Sequence, residues 1–160
     1  MDLHIRPVCD NDVEALVQLS LLAWEPVFES FLNVLGHNIF PLIWPDWKDG
    51  QSKAVETVCQ DGEKTTVWVA EKGGKTVGFI AYELHPDHTG EVMLLAVHPE
   101  YQNAGIGTAL NEFVLDRMKE NGTKLAVVGT GGDPGHAPAR RSYEKAGYTG
   151  LPLVRYYKDL

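Results

Sequence analysis

The chain has 160 residues, 44% hydrophobic and 22% charged, a length and composition that fit one globular domain with a sizeable core. Its formal net charge of −8 argues against nonspecific nucleic-acid binding, which needs Lys and Arg to neutralise phosphates, and would attract a cationic amine. No apolar run approaches the roughly 20 residues of a membrane helix, residues 1–10 lack an apolar stretch of signal-peptide length, and Cys9 and Cys59 form no Cys-x-x-Cys pair. The expectation is a single cytoplasmic domain over residues 1–160, off the membrane and with two free thiols.

In chain order, Leu3–Pro7 reads as a first strand. Asn11, with Glu14 three residues on, reads as a capping box, and Val13, Leu16, Val17, Leu21 and Trp24 then recur at helical spacing, predicting a helix over 12–24. Pro26 suits the first turn of a second helix running to about Leu35. Residues 36–50, with Pro41 and Pro45, cannot form one regular helix, and a further helix is expected over 51–60. Residues 65–71 and 76–84 are rich in β-branched and aromatic residues and flank Gly73-Gly74, the pattern of an antiparallel hairpin. A strand over 91–97 follows, then a helix over 105–121, a strand over 125–128, a helix containing Tyr143, and two last strand segments at Tyr148 and 153–157. Strands outnumber helices and are mostly consecutive, so the fold class is α+β with a mixed, mostly antiparallel sheet.

The most informative segment is His98–Thr108, His-Pro-Glu-Tyr-Gln-Asn-Ala-Gly-Ile-Gly-Thr, which joins a buried strand to a helix start. Amides there have no partner within the helix and sit at the positive end of its dipole. Gly105 and Gly107 carry no side chain to keep a ligand away, so the turn suits a phosphate or pyrophosphate. It is neither a dinucleotide fingerprint, since Leu110 replaces the third glycine, nor a P-loop, since Thr108-Ala109 supplies no lysine.

What remains, Gln102-x-x-Gly105-x-Gly107 after strand-His-Pro, resembles the pyrophosphate loop of the GNAT superfamily of N-acetyltransferases. A second segment resembles the same superfamily: Ala139, Tyr143, Gly147 and Tyr148 stand in the register of its late helix and following strand. The resemblance extends over nearly the whole chain and implies a GNAT-like sheet with helices on both faces. It implies acetyl-coenzyme A as co-substrate, no metal, and direct transfer to an amine in a ternary complex, since no thiol is placed for an acyl-enzyme.

The same resemblance implies roles residue by residue. The coenzyme would meet Leu95, Ala96 and Val97 through their main chain, then Gln102, Asn103, Ala104, Gly105, Ile106, Gly107 and Thr108, and finally His136, Ala139 and Tyr143. Tyr143 would be the general acid beside the departing sulfur, and Glu91, eleven residues before Gln102, the base, acting directly or through water. His136 stands where the family often carries an asparagine, seven residues before the tyrosine. Residues 129–135, Gly-Thr-Gly-Gly-Asp-Pro-Gly, read as a flexible loop bordering the acceptor, with Asp133 available to meet an amine. Glu83 is a weaker substitute base, and Trp24 and Phe28, with Trp44 and Trp47, could line the acceptor cleft. His85 and His88 flank Pro86 with no third ligand in register, which argues against a metal site.

The acceptor class is an amine of a small molecule or peptide. Transfer of a longer acyl group, transfer to a protein N-terminus, and a catalytically silent acyl-coenzyme A sensor are the alternatives. Pairing of the terminal segment 153–157 with another subunit would make a homodimer.

Overall fold

The computed structural model describes residues 2–160. Strands β1 (Leu3–Pro7), β2 (Thr65–Lys72), β3 (Lys75–Leu84), β4 (Thr89–Val97) and β5 (Leu125–Val128) form one sheet in that spatial order. The first three pairings are antiparallel and the last, β4 with β5, is parallel. Helices α1 (Val13–Ile43) and α2 (Trp47–Gln60) cover one face, α3 (Ile106–Glu120) covers the other, and α4 (Ala137–Lys145) packs beside α3. The fold is therefore α+β with helices on both faces, as expected.

Strand β3 is the centre of the molecule. Phe79 and Ala81 point into the core beneath α1 and α2, with Leu16, Val17, Leu19 and Val55. Val77, Ile80 and Tyr82 point to the opposite face, against Ile106, Leu110, Val114 and Met118 of α3. A strand buried on both faces reads as a near-continuous apolar run, which is why residues 76–84 show so little alternation. Gly78 admits α3 to this surface. A Cβ there would stand 2.9 Å from the Ala96 carbonyl oxygen and 3.4 Å from Leu110 Cδ1.

Three expectations are corrected. The chain stays helical through Pro26, and the break falls at Gly36, whose φ of 79° and ψ of 174° kink α1. Losing one hydrogen bond at Pro26 costs about 3 kcal/mol, and burial on both sides of it, of Leu16, Val17 and Leu19 in the core and of Phe28 among aromatic rings, offsets it. The merged helix over residues 10–43 is consequently long and apolar enough to cross a membrane by length and composition, but its apolar side is part of the core.

The cap also differs. Asp12, not Asn11, accepts from the Cys9 amide at 2.8 Å, and the same carboxylate receives both arms of Arg6 at 2.8 Å. Arg6 also donates to Glu71 on β2, so one guanidinium ties β1, β2 and the start of α1. Finally, neither Tyr148 nor residues 153–157 join the sheet, which ends at β5. Strand propensity without a paired neighbour does not make a strand.

Candidate active site

Strands β4 and β5 pair only from Thr89↔Leu125 to Val92↔Val128. Immediately beyond, the β3–β4 register shifts from Tyr82↔Val92 to Ala81↔Leu94, leaving Met93 as an extra residue. A bulge bends its strand and increases the local twist. Here it turns β4 away from β5, so the β5-facing backbone of residues 93–97 has no strand partner.

The gap is the floor of a cleft of about 360 Å³. One wall is the turn into α3. Gly105 is its N-cap in the left-handed region (φ 82°), no side chain caps the helix, and the first turn holds no acidic residue. The amides of the first turn are thus open to a ligand. Asn103 is also left-handed (φ 60°), and Gln102 Nε2 donates to the Val97 carbonyl at 3.0 Å, fastening the turn to the end of β4.

The second wall is α4. Tyr143 lines the cleft with its ring edge-on to Tyr148. Burial, aided by Tyr148, pushes its phenol up to about 12, so the hydroxyl keeps its proton throughout the neutral range. Ser142 locks α4 to α3. Asn111 Nδ2 reaches Ser142 Oγ (3.3 Å) and the Gly107 carbonyl (3.1 Å), and a Cβ on Gly107 would lie 3.1 Å from Ser142 Oγ. A side chain at 107 would thus crowd Ser142 as well as the space open to a ligand.

Of the residues singled out from sequence, Leu95, Ala96, Val97, Gln102, Asn103, Gly105, Ile106, Gly107, Thr108, His136, Ala139 and Tyr143 all line this one cleft, as does Trp24 from α1. Ala104 does not. Phe28 is buried instead in an aromatic cluster, stacked on Trp47 at 4.5 Å and edge-on to Trp44 and Phe31. Glu83 and Glu91 lie opposite each other on β3 and β4, outside the lining. Glu83 is buried, accepting from Thr65 at 3.3 Å, whereas Glu91 is half-buried and stands 3.9 Å from His85 Nε2.

Asp133 is already engaged. It accepts from Ser30 Oγ at 2.6 Å and the Gly135 amide at 3.2 Å, and lies 2.5 Å from His136 Nδ1. Burial opposes its charge, but these donors outweigh it and hold the carboxyl below the ordinary range. An ionised carboxylate only accepts, so His136 Nδ1 carries the hydrogen; in the neutral ring Nε2 is then an acceptor, unlike an asparagine amide, which also donates. The glycine-rich loop is also held rather than free, because Arg140 donates to the carbonyls of Gly131 (2.6 Å) and Asp133 (2.8 Å).

Sequence reasoning missed Ser30, Ser142, Asn111 and two cations, Arg141 and Lys145, which line the cleft from α4. Their spacing of four residues, on the helix that carries Tyr143, was the available signal. Among the described residues, no group of three or more His, Cys, Asp or Glu is arranged to hold a metal ion.

The chain matches the family model described as the Acetyltransferase (GNAT) family over residues 36–148. A mycothiol acetyltransferase of Thermomonospora curvata is 35% identical over 93 residues, 58% of this chain and 31% of that protein. An L-2,4-diaminobutyric acid acetyltransferase of Nocardia farcinica is 41% identical over 66 residues, 40% of this chain and 34% of that protein. This chain spans about a third of the length of either relative. Among solved structures, the PaiA N-acetyltransferase of Thermoplasma acidophilum, in complex with coenzyme A, superposes with a TM-score of 0.73 at 18% identity. That match covers 96% of this chain and 94% of the other.

Proposed function

Because the chain belongs to the GNAT family of acetyltransferases, we propose that residues 1–160 act as one domain that transfers an acetyl group from acetyl-coenzyme A to a primary amine in a ternary complex. The observation that carries this reading is the convergence of three things on one cleft: open strand backbone at residues 93–97, open helix amides at 105–108, and a protonated tyrosine at 143.

The residues fit the coenzyme. Uncapped amides at the start of α3, with no side chain on Gly105 or Gly107, suit its pyrophosphate, and Arg141 and Lys145 add charge to a chain that is otherwise acidic. The backbone of residues 95–97, which has no strand partner on the β5 side, would hold the pantetheine arm as an added strand holds to an edge, and His136 Nε2 would accept from one of its amides. When bound, acetyl-coenzyme A supplies the activated thioester.

The chain's own residues then do three jobs. A β4 amide polarises the carbonyl as an oxyanion donor. Tyr143 holds a proton for the departing sulfur. Glu91 takes a proton from the incoming ammonium, and its half-buried position outside the cleft lining favours relay through water.

The acceptor is proposed to be a small cationic amine, supported by the net charge of −8 and by relatives whose names specify small-molecule acceptors. The cytoplasm is the proposed compartment, consistent with two free cysteines, of which Cys59 is raised to about 11 by burial and is correspondingly unreactive. The test is release of coenzyme A across polyamines, aminoglycosides, amino acids and N-terminal peptides. Turnover with a small amine is expected. Tight coenzyme binding without turnover on any member would show a sensor instead.

A further inference from the structure

We propose that Ser30 and Asp133 are positioning residues for coenzyme binding, which hold His136 in the single tautomer whose free ring nitrogen, Nε2, can only accept a hydrogen bond. The inference rests on the proposed coenzyme site and adds to it two residues that act through a third. A neutral imidazole left to itself exists as two tautomers, and the hydrogen bond made by one nitrogen decides what the other can do. Here that bond is strongly built. His136 Nδ1 lies 2.5 Å from Asp133 Oδ1, and their side chains are only 14% and 10% exposed, so little water competes for the pair. The other carboxylate oxygen accepts from Ser30 Oγ at 2.6 Å and from the Gly135 amide at 3.2 Å, which fixes the carboxylate in turn.

Ser30 closes the network because its hydroxyl does two things at once, donating to Asp133 and accepting from the Gly135 amide at 3.0 Å. Phe31, the next residue of α1, lays its ring 5.3 Å from the imidazole, and Arg140 ties the loop through the Gly131 and Asp133 carbonyls. The glycines leave room for this seat. A Cβ at 131 would press on Asp133 Oδ1 and stand 2.6 Å from His136 Nδ1, and one at 135 would stand 2.6 Å from Ser30 Cβ. With Nδ1 committed to an ionised carboxylate, the imidazole that lines the cleft serves a ligand that brings an N–H, as the amides of a pantetheine arm do. Were Asp133 or Ser30 lost, the ring could present an N–H at Nε2 instead, and two donors would then face each other.

Two readouts other than turnover test this. In the ligand-free protein at pH 9, well above the ordinary imidazole value of about 6.5, ring-nitrogen NMR should find His136 as the Nδ1–H tautomer alone, its signals assigned by their absence from His136→Ala. Asp133→Ala and Ser30→Ala should each bring in the second tautomer; alanine suits a helix, so the serine variant should keep its fold. By calorimetry, coenzyme A should bind roughly fivefold more weakly to Asp133→Ala and His136→Ala, the effect of one lost hydrogen bond. For Ser30→Ala, which keeps the carboxylate, the factor should be about two, as when half the rings are competent. In a His136→Ala background neither substitution should weaken binding further, whereas a merely structural role would add its loss there too. Additive losses, a wild-type ring in the other tautomer, or variants that change neither tautomer nor affinity would overturn this inference alone. Failure of the wild type to bind coenzyme A would overturn the coenzyme site itself and this inference with it.

Discussion

Tyr143 joins two properties that a general acid needs: it lines the cleft, and burial holds its phenol near 12, so it is protonated wherever the enzyme would work. Tyr143→Phe keeps the ring against Tyr148 and removes only the hydroxyl. Turnover is expected to fall roughly 10²-fold with coenzyme affinity little changed, and the wild-type rate should show no alkaline loss from this group below about pH 11. A phenylalanine variant with full turnover would return Tyr143 to packing. Gly107 is tested on binding: Gly107→Glu puts a carboxylate at the open amides and against Ser142. Calorimetry should show coenzyme affinity falling at least tenfold in a variant that remains folded, and Gly107→Ala, which asks only a small movement of Ser142, separates crowding from charge. Glu91 is tested on pH. Glu91→Gln should be slow near neutrality and recover as pH approaches the amine's own pKa, about 10.4 for a lysine-like acceptor. A deficit constant across that range would make Glu91 a positioning residue.

Among elements, the bulge at Met93 and the cap at Asp12 show how single residues set strand and helix geometry. The bulge falls where the β4–β5 pairing ends at Val92↔Val128 and the cleft begins. Asp12 joins the start of α1 to β1 and β2 through Arg6, whose hydrogen bonds to Asp12 keep that carboxyl well below its usual value. A depressed carboxyl stabilises the fold fully above its unfolded value of about 3.9, and this contribution is lost as pH falls toward the folded value. Asp12→Asn should therefore cost about 1–3 kcal/mol at neutral pH, and the gap from wild type should narrow below about pH 4. Denaturant melts at pH 7 and pH 3 test this; an equal gap at both would assign the effect to capping geometry instead of charge.

For the molecule as a whole, a net charge of −8 sets a field that would draw a cationic acceptor toward the cleft and oppose the phosphates of the proposed coenzyme. Arg141 and Lys145 reconcile the two by placing positive charge locally on the α4 wall. For a polyamine acceptor, kcat/KM should fall several-fold between low salt and 0.5 M salt with kcat nearly constant, because the Debye length shrinks well below 10 Å. Insensitivity to salt would remove steering from the account.

Features that depend on neighbours along the chain were legible in the residues alone. The hairpin flanking Gly73-Gly74, the turn into α3 at Gly105, the strand at 125–128 and the helix around Tyr143 are all local patterns, and each lies within a few residues of its expected bounds. The order of the two glycine- and tyrosine-bearing segments carried the family. Tertiary structure decided what depends on partners distant in sequence. Continuity through Pro26 goes with burial on both sides of it, Leu16, Val17 and Leu19 against the sheet and Phe28 in the aromatic cluster, contacts that no local pattern shows. The carboxylate of Asp133 is held by Ser30, 103 residues away, and no local rule could have shown that it was already engaged. The opening of the cleft needed the register of β4 against two strands at once. Residues 153–157 have the composition of a strand, but a strand exists only when another backbone supplies its hydrogen bonds, and within this chain none does.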